Sequence, residues 1–227
     1  MRTKGRRRFG RDVDVVEIMR AGGFVMWIIL ALSIGAGAVV LERLLFFRRA
    51  STNPVLLEER LGKALFEGDR DTASRIVAEG QSSLHHLFSA AIAHWQIDAE
   101  TLKLLLEQEI RRELFRWEKG LALLGTAARL APLLGLLGTV LGMVEIFRLL
   151  PESAASPMIT LAGGIWKALL TTVAGLCAAV PMVLAHTYLA SRVARAEEML
   201  ERGADFILRE KLLGRSSGNG PAAKGKP

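Results

Sequence analysis

Three stretches of this 227-residue chain, near residues 24–47, 121–149 and 159–189, are long, apolar and almost free of charge. Each exceeds the roughly 20 residues that an α-helix needs to cross the hydrocarbon core of a bilayer. A chain that is 51% hydrophobic is too apolar for an ordinary soluble domain unless those residues are gathered into a few segments, as they are here. The expected fold is an all-α integral membrane protein with three transmembrane helices. The first stretch carries no charge before Glu42 and ends in Glu42-Arg43 and Arg48-Arg49, a stop-transfer flank. Its apolar run outlasts the roughly 7–15 residues of a signal-peptide core, so it reads as a retained helix.

The charge balance fits the same class. A net charge of +7 and the basic cluster Arg2-Thr-Lys-Gly-Arg-Arg-Arg-Phe-Gly-Arg11 could suggest nucleic acid, yet no basic stripe is interleaved with aromatics and the chain has one tyrosine. Basic residues flanking apolar spans instead sit at lipid headgroups. The single cysteine, Cys177, lies within the third span, excludes an internal disulfide and reads as a small packing residue.

Composition shifts divide the chain. Residues 1–23 form a basic tail and, over 12–20, a short interfacial helix broken by Gly22-Gly23; transmembrane helix 1 covers 24–47. Residues 48–120 form a helical region with amphipathic segments near 55–66, 71–79, 82–96 and 99–118, the first of them started by Thr52-Asn53-Pro54. Transmembrane helix 2 covers 121–149, a short turn 150–158, transmembrane helix 3 159–189 and a charged helix 190–213, before a low-complexity, disordered tail over 214–227. Without a proline between Glu100 and Pro132, the last amphipathic segment is expected to continue into the second span as one long helix. Spans two and three make a hairpin. Basic residues are dense in 48–120 and 190–213, so the positive-inside rule puts both regions and the C-terminus in the cytoplasm. Three spans then leave the N-terminus in the periplasm, against the pull of its own basic residues.

Polar residues inside the spans are the candidates for chemistry. In the second span Pro132, Gly135, Gly138, Thr139 and Gly142 make a small-residue face that lets another helix approach closely. In the third, Gly164, Ala168, Thr171, Thr172, Gly175, Ala178 and Ala179 carry a similar face, with Thr172 in line with Ala168, Gly175 and Ala179, and Pro181 is a further candidate for helix packing or partner contact. A threonine in a spanning helix ordinarily bonds back to its own helix, so the hydroxyls read either as packing or as an ion pathway. Lys167 lies about 9 Å along the helix from Leu161, shallow enough to snorkel. Arg129, Glu145, Arg148 and His186 read as interfacial residues, and His85-His86 lacks further ligands at metal-binding spacing. No enzyme reading survives: the spans hold no serine in a Gly-x-Ser turn with a buried histidine partner, and the chain has no P-loop. A proton path needs an ionisable relay at mid-depth, and the spans carry none. If the protein conducts protons, a second subunit must bring the carboxylate.

Three motifs together resemble the MotA/TolQ/ExbB proton-channel family, on its ExbB/TolQ side. They are Gly22-Gly-Phe-Val-Met-Trp27 with Leu41-Glu-Arg-Leu-Leu-Phe-Phe47, Ala131-Pro-Leu-Leu-Gly-Leu-Leu-Gly-Thr-Val-Leu-Gly142, and Ala168-Leu-Leu-Thr-Thr-Val-Ala-Gly-Leu176 with Ala179-Val-Pro181. The resemblance implies a non-enzymatic bacterial inner-membrane subunit, a homopentamer around the single-span helices of an ExbD/TolR-like partner whose aspartate carries the proton. A TonB/TolA-like protein would take up the work for outer-membrane transport or envelope maintenance. By motif position it implies Thr139 and Thr172 as the threonines beside that aspartate, and Thr171 and Lys167 are expected on the same ion pathway. Lys167 stands where ExbB and TolQ commonly have a glutamate, so it is expected to set the electrostatics of the outer pore mouth or to pair with an acid of the partner. A MotA-like stator of a flagellar or gliding motor and a non-conducting scaffold are the alternatives; MotA-type chains have four spans against three here.

Overall fold

The computed structural model describes residue 19 and residues 22–50, 53–67, 69–149 and 157–218. Apart from Met19, the predicted interfacial helix over 12–20 lies outside the described residues, as do most of the turn at 150–158 and the end of the C-terminal tail. Among the described residues the chain is all helical, in the order α1 (Gly23–Ala50), α2 (Pro54–Phe66), α3 (Arg70–Ala78), α4 (Ser83–Ala93), α5 (Ala99–Glu118), α6 (Leu121–Leu149) and α7 (Pro157–Gly218). Three helices among the described residues are long and apolar enough to cross a membrane. The protein is a multi-pass membrane protein.

Two of the sequence-based boundaries change. The expected continuous helix through 100–149 is interrupted at Lys119-Gly120, where Lys119 turns extended (φ −50°, ψ 126°) and Gly120 takes φ +81°. Only glycine adopts that left-handed conformation at no steric cost, so Gly120 ends α5 and resets the chain before α6. The third span does run on as one helix, but through Gly218 rather than stopping at Leu213. Gly23, at φ +67°, opens α1 where the Gly22-Gly23 break was expected.

The chain divides into two compact units, one within residues 1–38 and 123–186, the other within 39–122 and 187–227. In the second unit, α2 to α5 pack with the C-terminal part of α7 around Leu61, Leu84, Leu87, Phe88, Leu102 and Leu200, each essentially inaccessible to solvent. Short polar caps start these helices. The side chains of Asn53, Asp69, Ser82 and Asp98 accept from the backbone N–H groups of Val55, Thr72, His85 and Thr101, satisfying donors that a helix start leaves orphaned.

Buried polar side chains tie the junctions of this unit. Glu113, 2% exposed, accepts from Arg116 at 2.7 Å and lies 3.2 Å from His86 Nδ1. Its burial alone would raise the pKa, but hydrogen bonds from Ser83, His86 and Arg116 outweigh burial and hold the carboxyl below its ordinary value. Ser83 also receives the Trp117 indole N–H at 2.8 Å, and Trp117 stacks on Phe47, ring centroids 4.6 Å apart. Arg43 donates to the Arg116 carbonyl at 2.9 Å, capping the end of α5. Lys211 donates to the carbonyls of Trp95 and Ile97, fastening α7 to the α4–α5 turn.

Candidate functional site

The small residues of the second and third spans meet one another within the first unit. A Cβ on Gly175 would stand 2.6 Å from the Ala131 carbonyl oxygen and 3.0 Å from Gly135 Cα. A Cβ on Gly135 would reach Thr172 Cα at 3.0 Å, one on Gly138 would overlap Thr171, and one on Gly142 would meet Ala168 Cβ at 3.0 Å. Farther along, Gly164 receives Ile146. As positions rise on α6 their partners fall on α7, so the two helices are antiparallel. Their contact is a glycine seam in which backbone touches backbone.

Three hydroxyls gather at this seam. Thr172 Oγ1 donates to the Gly135 carbonyl at 3.1 Å; Thr171 Oγ1 donates to Ala168 O at 2.7 Å and reaches the same Gly135 carbonyl at 3.3 Å. Thr139 Oγ1 donates to Leu136 O at 2.6 Å, within its own helix, and is not bonded to the other two. The pair on α7 thus differs from the sequence expectation in one respect. Thr171, at 2% exposure, shares the buried face of Ala168, Gly175 and Ala179, whereas Thr172 is half-buried at its edge.

Helical phase explains the difference. Thr139 follows Gly135 by four residues and Thr172 follows Ala168 by four, so each is turned about 40° past a residue of the seam. On antiparallel helices, equal turns in the same sense lead to the same flank. Thr139 and Thr172 therefore share one flank of the hairpin, and both are half-buried there. Thr171 turns to the other flank, where a Cβ on Gly22, at the start of α1, would lie 3.2 Å from its Cγ2. α1 begins against one side of the threonine cluster, and among the described residues it leaves the other open.

The charged residues of the spans stand off this flank. Lys167 is exposed, five residues and about 140° round α7 from Thr172, with no hydrogen bond or ion pair among the described residues. Glu145 pairs with Arg148 at 3.3 Å, both more than half exposed. Arg129 Nε donates to Gly125 O at 3.1 Å, and the His186 ring lies so close over Gly125 that a Cβ there would sit 2.9 Å from Nε2. Pro132 and Pro181 lie inside α6 and α7 without ending either helix. Sequence reasoning gave no packing contact to Ala131, Ile146 or Gly125, and took Gly22 only as a helix breaker and a motif residue. The spacing of Ala131 and Ile146, four residues from Gly135 and Gly142, was the signal available for the first two.

Residues 72–202 match the profile of the MotA/TolQ/ExbB proton channel family. The chain is 31% identical over 196 residues to the biopolymer transport protein exbB1 of Vibrio cholerae, covering 86% of this chain and 78% of that protein. It is 25% identical over 190 residues to the Tol-Pal system protein TolQ of Haemophilus influenzae, covering 77% of this chain and 81% of that one. An ExbB homolog of Methanothermobacter thermautotrophicus is 28% identical over 181 residues, 79% of this chain, and the chain spans 64% of that relative's length.

Proposed function

Because the chain belongs to the MotA/TolQ/ExbB proton channel family, whose members are membrane channel proteins rather than enzymes, we propose that it is the pore-lining subunit of an ExbB/TolQ-like motor driven by the proton motive force. Five copies surround the single-span helices of an ExbD/TolR-like partner in a bacterial inner membrane, with the N-terminus periplasmic and the C-terminus cytoplasmic. A TonB/TolA-like protein carries the work onward to outer-membrane transport or envelope maintenance.

The observation that carries this reading is the open flank holding Thr139 and Thr172. Two hydroxyls share it, none of the hairpin's charged residues among the described residues faces it, and α1 starts on the opposite side. A hydroxyl can orient or relay a proton but cannot store one at neutral pH. The site is therefore half of a relay, and a carboxylate on a helix laid along the flank completes it. Thr171, under α1, serves packing more than transfer. Lys167 faces away from the pathway flank and sets the local electrostatics about one turn from Thr171.

Native mass spectrometry of the chain co-expressed with the products of the reading frames beside its gene tests the assembly. The expected species is a pentamer holding copies of a small single-span protein with an aspartate in its span. A pentamer that takes up no such protein would contradict the reading and favour a scaffold.

A further inference from the structure

The second unit carries a basic groove that the ion pathway does not use. It has a volume of about 230 Å³ and is edged by three arginines of α7, Arg192, Arg195 and Arg202. Their positions, with those of Ala196 and Met199 between them, fall within about 120° of the helix circumference. The floor is apolar: Trp117, Met199, Pro54 and Ala196. Trp117 has its only polar atom engaged by Ser83, so it offers the groove a carbon surface.

No carboxylate lines the groove, and none lies within ion-pair distance of the three guanidinium groups among the described residues, although Glu198 is one turn from both Arg195 and Arg202. Among the described residues, the one polar contact of the three is Arg195 Nη2 with Ser191 Oγ, at 3.5 Å. Each lining segment also adjoins an apolar span in the sequence. Arg192 is the first charged residue after Lys167, Trp117 lies three residues before the Gly120 break that opens α6, and Pro54 follows the basic end of α1. Residues so placed lie at the level where a bilayer presents its headgroups.

We infer that this groove binds the phosphate headgroup of an anionic phospholipid, its guanidinium groups taking the phosphate oxygens and its apolar floor taking the glycerol backbone. Guanidinium forks match phosphate geometry, and basic pockets beside membrane spans suit acidic headgroups. Ligand and site together would fasten the start of the α7 extension to the membrane surface.

The test is lipid add-back to the delipidated full-length protein in a neutral detergent, followed by native mass spectrometry and thermal unfolding. The wild type is expected to retain phosphatidylglycerol in preference to phosphatidylcholine and to be stabilised by it. R195Q/R202Q, altering two exposed side chains, is expected to bind phosphatidylglycerol at least about tenfold more weakly. R111Q/R112Q, which removes the same charge from exposed sites on α5, is expected to bind like the wild type. Equal retention of the two lipids by the wild type, or undiminished binding by R195Q/R202Q, would overturn the assignment. Protection by inorganic phosphate as strong as that by the lipid would assign the groove to a soluble phosphate compound and overturn the lipid reading.

Discussion

Valine at position 172 is expected to leave the assembly intact and stop the ion. Valine matches threonine in shape and removes only the hydroxyl, so the glycine seam still closes. The Gly135 carbonyl loses one of its two side-chain donors, a change on the order of 1 kcal/mol. The relay beside the partner's carboxylate loses one of its two hydroxyls, and that of Thr139 alone does not span it. Proton uptake by proteoliposomes containing the complex should fall below about a tenth of wild type, while Thr172→Ser retains most of it. Thr171→Val gives the contrasting result, a modest loss of stability with uptake largely kept, because that hydroxyl is buried in the seam against Gly138, off the flank of Thr139 and Thr172. A scaffold without ion flux predicts instead that serine and valine at 172 behave alike. Uptake by Thr172→Val at the wild-type rate would remove Thr172 from the pathway.

The second large effect lies in the seam itself. A valine at Gly175 brings its Cβ within 2.6 Å of the Ala131 carbonyl oxygen and 3.0 Å of Gly135 Cα. Both are backbone atoms, so no side chain can swing away and the helices must part. Overpacking a well-filled interior costs about 1–3 kcal/mol, and more where backbone must move. Separating α6 and α7 also breaks the hydroxyl contacts to Gly135. Gly175→Val is therefore expected to unfold tens of degrees below wild type or to yield no membrane-inserted protein. Gly163→Ala provides the control, since a Cβ there meets nothing within 4 Å and alanine favours the helix. Thermal unfolding in detergent compares the two, and equal midpoints would mean that the seam does not hold the hairpin.

Much of this was legible in the sequence because bilayer physics leaves so few options. Span number follows from apolar length, and the amphipathic segments between spans one and two began and ended within a few residues of the expected positions, their starts fixed by capping side chains at Asn53, Asp69, Ser82 and Asp98. The break at Lys119-Gly120 was not legible. A lone glycine in a helical pattern is ordinarily tolerated, and only its positive φ shows that it terminates one helix and permits another.

The candidate site was legible by residue and not by flank. Adjacent threonines differ by about 100° of helical phase, and periodicity alone placed Thr172 on the buried line that Thr171 in fact occupies. Separating them required the partner positions on α6 and the start of α1 at Gly22, contacts between residues far apart in the chain. Lys167 shows the same limit from the other direction. Its proximity in sequence to the threonines suggested a common path, and the helix turns it to another side.

The most direct measurement is the decay of an imposed pH gradient in vesicles containing the chain alone, the chain with its single-span partner, and the chain with a partner whose span aspartate is changed to asparagine. A half-relay of hydroxyls predicts vesicles that stay tight with the chain alone, leak with the intact pair and become tight again with the asparagine partner. Rapid decay with the chain alone, or decay indifferent to the partner's aspartate, would contradict the account.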